Sequence, residues 1–161
     1  MSRLFSLLVL ALLAAPAVAG ADESVPRLLA TGHVDQAIAA LDGQIKQSPD
    51  DPVAHNLLCR AYFTLGEWDR GISNCEKAVA LSPDNSQFHL WLGRIYGEKA
   101  DRSGFMTAAG LAKRVRDEFE KAVHLNPKSV DARSDLAEFY LEAPGIVGGG
   151  RDRHSERLTH C

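Results

Sequence analysis

The sequence predicts an all-α chain, an α-solenoid in which antiparallel helix hairpins stack side by side. Three observations predict it. Apolar and small residues recur at a spacing of 34 positions over most of the chain. Within one unit they fall at i, i+4 and i+7, as in Leu58, Tyr62 and Leu65, which puts them on one helical face. Gly66 stands where a left-handed residue would end one helix, and Pro83 where a second helix cannot continue. A single hairpin leaves an apolar face uncovered, so such units must stack to bury it.

Composition sets the outer bounds. The chain has 161 residues, 45% hydrophobic and 24% charged, with a net charge of −3. That suits one domain and is too apolar for a disordered chain. The acidic balance argues against wrapping nucleic acid through a basic face. Three cysteines are too few for a disulfide-stapled mini-protein.

The elements follow in chain order. Residues 1–19 carry a positive start at Arg3, an apolar stretch from Leu4 to Ala15, and the small residues Ala17 and Ala19. This is expected to be a secretory signal peptide cut after Ala19, which places the mature chain in a periplasm or outside the cell. The apolar run is short for a membrane span, so contact with the membrane is expected only through this segment. A half or short repeat is expected over about 22–51 and a full repeat over 52–85. Gly32, Val34, Ala37, Ile38, Leu41 and Pro49 precede Gly66, Trp68, Gly71, Ile72, Cys75 and Pro83 by 34 positions. Cys59, Gly71 and Ala78 are small enough to let paired helices approach closely. A third repeat spans 86–129 and opens with Leu92, Gly93 and Tyr96 in the slots of Leu58, Cys59 and Tyr62. Its second half is displaced by ten residues within ADRSGFMTAA, Ala100 to Ala109. These either lengthen both helices by about a turn or form a projecting loop. Asp101, Ser103 and Gly104 mark the reversal. Phe105 and Met106 beside it are expected to pack back on the hairpin, with a partner contact as the alternative. Residues 130–141 form the first helix of a last repeat, with Leu136, Ala137 and Tyr140 in register. Residues 143–161 hold a Gly-rich loop and a short polar segment, an incomplete partner for that helix. Truncation of a longer protein is one explanation.

With this register, the chain resembles a tetratricopeptide repeat protein over about Asp22 to Glu142. It is similar to secreted bacterial members carrying LCRAY, HLWLGRIYGEKA and EFYLEAPGIVGGG, here at 58–62, 89–100 and 138–150. The resemblance implies a right-handed solenoid and a protein-interaction module without catalysis. It implies a concave groove built from first helices. The residues matching groove slots include Asn56, Arg60 and Phe63, then Leu90, Trp91, Arg94 and Glu98, then Asp135 and Glu138. Arg60 and Arg94, 34 apart, are expected to stack along the groove and grip a peptide carboxylate or backbone. Phe63, Leu90 and Trp91 would supply apolar anchors. The carboxylates at the far end would favour a basic segment. The set departs from the lysine and asparagine clamp of chaperone-binding relatives. Cys59 and Cys75 fall on facing sides of one hairpin. They are either packed thiols or a disulfide, which an oxidising compartment favours.

No chemistry stands against this reading. The run Gly145 to Gly150 lacks the Lys-Ser/Thr ending of a phosphate loop. His55 and His89 share one slot and are expected to be packing residues. His154, His160 and Cys161 are a weak metal signal without fixed spacing. No nucleophile and base stand in a catalytic spacing, so no catalytic residue, metal or cofactor is expected. The expected partner is a protein or peptide, not a nucleic acid. The alternative is self-association through an exposed helix, Val130 to Leu141.

Overall fold

A computed structural model describes residues 24–142. The expectations for the signal segment, the Gly-rich run and the His154, His160 and Cys161 group lie outside these residues. The described residues form seven helices and no strand. These are α1 (Val25–Ala30), α2 (Val34–Gln47), α3 (Pro52–Leu65), α4 (Trp68–Leu81), α5 (Ser86–Asp101), α6 (Phe105–Leu125) and α7 (Val130–Glu142). Consecutive helices pair as hairpins and the hairpins stack into a solenoid.

Local chemistry sets the ends. Pro52 opens α3, and the Asp51 carboxylate accepts from the backbone N–H groups of Val53 and Ala54 at 2.9 and 3.2 Å. Asn85 caps α5 through the N–H of Gln87 at 3.0 Å. Such caps satisfy donors that have no partner within the helix. Gly66 and Gly32 take φ of 72° and 80° in the turns of the first two hairpins, where a side chain would be strained.

The two helices of each hairpin meet at one recurring pair of slots. In the first unit the pair is Val25 and Leu41, with Val25 packed against the cluster that holds buried Leu41. In the second it is Cys59 and Cys75, joined by a disulfide with Cα atoms 5.2 Å apart. In the third it is Gly93 and Phe119. A Cβ on Gly93 would stand 2.5 Å from the Phe119 ring, so the large residue fills what the small one vacates. Gly71 has the same function between units, since a Cβ there would meet Ile95 at 2.2 Å.

Polar contacts recur as well. Tyr96 donates to Glu76 at 2.6 Å, and Tyr140 donates to Glu120. Each tyrosine lies on a first helix and reaches the second helix of the unit before it. Burial, reinforced by the Glu76 bond, pushes the Tyr96 hydroxyl up to about 12, so it stays a donor. His55 and His89, expected to be packing residues, are buried and also bonded. Each sets Nε2 against a proline carbonyl six residues earlier, Pro49 at 2.9 Å and Pro83 at 2.7 Å. Their Nδ1 atoms meet Asn74 at 3.0 Å and Glu118 at 2.6 Å on the paired second helix.

The ten-residue insertion does not loop out; it lengthens both helices of its hairpin, as the first alternative expected, but unequally. α5 has 16 residues against 14 in α3, whereas α6 has 21 against 14 in α4. Ser103 and Gly104 close the turn, and the good helix formers between Met106 and Ala112 then extend α6. Phe105 and Met106 do not pack back. They are 76% and 82% exposed at the start of α6.

Candidate functional site

The first helices α3, α5 and α7 present a common face, and most of the groove candidates meet there. Trp91 on α5 is half-buried at its centre. The Arg60 guanidinium of α3 lies over its ring at 4.8 Å and that of Arg94 at 4.9 Å. Arg94 also donates through Nε to Asp135 of α7 at 2.5 Å, which ties the third repeat to the fourth. Arg60 has no ion pair among the described residues. Burial, and then the like charge of Arg94, lowers its pKa from the ordinary value. It is a partly desolvated cation with an aromatic face beside it and no anion.

Phe63 of α3 packs edge-on against Trp91 with centroids 5.7 Å apart, and against Trp68 at 5.9 Å. The same ring lines a cavity of about 730 Å³. Arg94, Glu98, Asp135 and Glu138 line it too, so five of the nine groove candidates share one concavity. Its remaining wall comes from α6, through Ala108, Ala109, Ala112, Val115 and Phe119, and the sequence reading did not anticipate this wall. The three alanines at i, i+1 and i+4 were the available signal: small residues on one side of a helix leave room beside it.

Two candidates are corrected. Leu90 is not a groove anchor, because it is 0% exposed and belongs to the central apolar cluster. Asn56 is 5% exposed, and its Nδ2 is buried without a hydrogen-bond partner. The reason is geometric. A first helix in a stack has neighbours on both sides, so only a narrow strip stays open. On α5 that strip runs through Trp91, Arg94 and Glu98, at i, i+3 and i+7. Leu90 lies off it.

Two family models described as tetratricopeptide repeat match this sequence, over residues 28–73 and 59–101. The chain carries tetratricopeptide repeats. No curated protein matches it. Among solved structures, it is similar to a thermophilic TPR protein of Thermus thermophilus, with 21% identity and a TM-score of 0.69, covering 84% of this chain and 68% of that one. MamA gives 19% identity and a TM-score of 0.67, covering 84% and 70%. The first TPR of Spaghetti (RPAP3), bound to HSP90 peptide SRMEEVD, gives 20% and 0.62, covering 71% and 83%. At these identities the likeness shows the fold, an all-α helical repeat solenoid.

The charge along this tetratricopeptide face is uneven. The cavity rim carries Glu98, Asp101, Asp135, Glu138 and Glu142 against the single cation Arg94. Arg94 is held by Asp135, and Glu98 accepts from Arg102 at 2.7 Å. Asp101, Glu138 and Glu142 have no ion pair among the described residues. The face therefore grades from cationic and aromatic over α3 and α5 to acidic over α7. Among the described residues no three metal-binding side chains are gathered, and no helix is long and apolar enough to cross a membrane.

Proposed function

We propose that this chain is an exported scaffold that holds a protein or peptide partner along the face of its first helices and performs no catalysis of its own. One observation carries the reading. Phe63 touches Trp91 and also lines the cavity, so the Arg60–Trp91–Arg94 patch and the 730 Å³ concavity are one continuous surface over α3, α5 and α7. Aromatic and arginine side chains in that arrangement are the usual anchors of protein interfaces. A carbonyl or carboxylate of the partner would complete Arg60 by a charge-assisted hydrogen bond. The bound HSP90 peptide of the RPAP3 structure is a precedent for peptide capture on this fold.

Export is supported by Arg3, the apolar stretch Leu4–Ala15 and the Ala17-x-Ala19 pattern. The Cys59–Cys75 disulfide suits the oxidising compartment that export implies. The experiment is recovery of partners from the periplasmic fraction on immobilised wild-type chain and on Arg60→Glu/Trp91→Ala. The double variant should lose them while keeping its helical circular dichroism. Equal recovery on both would overturn the groove.

A further inference from the structure

The cavity lies where the described part of α7 runs alongside only part of α6. α7 has 13 residues and α6 has 21, so in rise along the axis they differ by about 12 Å. α7 covers the later part of α6 through residues such as Phe139, which faces the same cavity as Val115 and Phe119. Among the described residues, the first turns of α6 stand beyond that cover. Their inner side is alanine, and their outer edge is Phe105 and Met106, both more than three-quarters exposed. Large exposed apolar side chains beside an apolar concavity mark a contact surface.

We propose that this cleft receives a basic amphipathic helix of a partner protein. The inference rests on reading the array as an interaction scaffold, and it names the chemistry of the partner at the acidic end. The floor selects the shape. Ala108, Ala109 and Ala112 project little, which lets another helix axis approach closely, while Phe105 and Met106 close over its apolar stripe. The rim selects the charge. Asp101, Glu138 and Glu142 are unmatched within the described residues and surround an apolar floor. An acidic occupant would bring like charges together at the rim, and a neutral one would leave the three carboxylates without a partner charge. Lysine or arginine flanking the apolar stripe answers them. The aliphatic stems of such side chains also add apolar cover at the rim.

The test uses the exported chain, oxidised, and a fluorescent probe peptide of roughly 14 residues with leucines at helical spacing and lysines elsewhere. Binding is read by anisotropy at physiological salt. Two control peptides share its length: one replaces lysine by glutamate, and one has the same composition with the leucine spacing scrambled. The lysine–leucine helix should bind, and both controls should bind at least about tenfold more weakly. Glu138→Lys/Glu142→Lys should weaken the probe by about tenfold, since both positions lie outside the buried core. Ala109→Trp, which fills the cleft, should abolish binding. Equal binding of the scrambled or glutamate peptide overturns the proposal, as does indifference to the Glu138/Glu142 reversal. Concentration-dependent self-association that Ala109→Trp removes would also overturn it, in favour of a second copy as occupant. A chain that loses partners on Arg60→Glu/Trp91→Ala yet ignores the basic helix retains the groove and rejects the cleft.

Discussion

His89 shows how one residue couples fold to solution conditions. Burial opposes its charge, but the Glu118 carboxylate at 2.6 Å and the Pro83 carbonyl at 2.7 Å outweigh that, with Lys121 working weakly against them. The net effect raises its pKa above the ordinary value. A histidine raised in the folded state adds stability that is full below about pH 6.5, its unfolded value. That contribution is lost as pH rises through the higher folded value. Thermal melting should therefore occur at a lower temperature as pH is raised from mildly acidic to mildly alkaline. Glu118→Gln should flatten that dependence, and an unchanged slope in this variant would refute the pairing. His55 occupies the same slot but meets the neutral Asn74, so it lacks this carboxylate. The shared slot was legible in the 34-residue spacing. The difference in charge was not, because the spacing does not say which second-helix side chain each histidine meets across its hairpin. The same limit applies to Leu90 and Asn56, whose register was readable but whose cover by neighbouring helices was not.

At the scale of the element, α3 is the helix on which the two apolar clusters meet. Leu58 and Tyr62 face the cluster with Leu41 and Ala54, while Cys59 belongs to the larger cluster that extends to Tyr140. The disulfide fixes α3 to α4 at this junction, across a sequence separation of 16. Loop closure of that size contributes about 3 kcal/mol by restricting the unfolded chain. Reductant should lower the denaturation midpoint accordingly. Cys59→Ala/Cys75→Ala should start from the lower value and show no response to reductant. Unfolded, unreduced protein should then present one titratable thiol, from Cys161, and three would mean that the pair is not joined. The helices of the first two units were legible, since glycine, proline and apolar period agree there. The extent of α6 was not. Ser103 and Gly104 announce a reversal, but an alanine-rich stretch after a turn suits a loop or a helix until its neighbours are known. The cleft wall was lost with it.

Across the whole molecule, the stack is built from nearest-neighbour contacts, and these are uneven. The C-terminal part is knitted by the larger cluster, by Tyr96–Glu76 and Tyr140–Glu120, and by Arg94–Asp135. At the start of the described residues α1 has six residues, and the buried members of its neighbouring cluster among the described residues are Leu41, Ala54, Leu58 and Tyr62. Leu28 is the single buried residue that α1 supplies. In a solenoid each unit's stability is its own plus that of its interfaces, so a terminal unit with a short helix opens first. Hydrogen exchange should show residues 34–47 exchanging through a lower-energy opening than residues 86–125, which should follow global unfolding. Leu41→Ala should speed exchange in 34–47 and leave 105–125 nearly unchanged. Equal protection across both segments, or a response to Leu41→Ala spread along the full array, would mean that the chain unfolds as one unit. Under graded opening, the proposed binding face on α3, α5 and α7 keeps its geometry while α1 and α2 fluctuate. Weakening α2 would then leave recognition of the probe helix intact, and the same variant measured in the anisotropy assay would decide between the two behaviours.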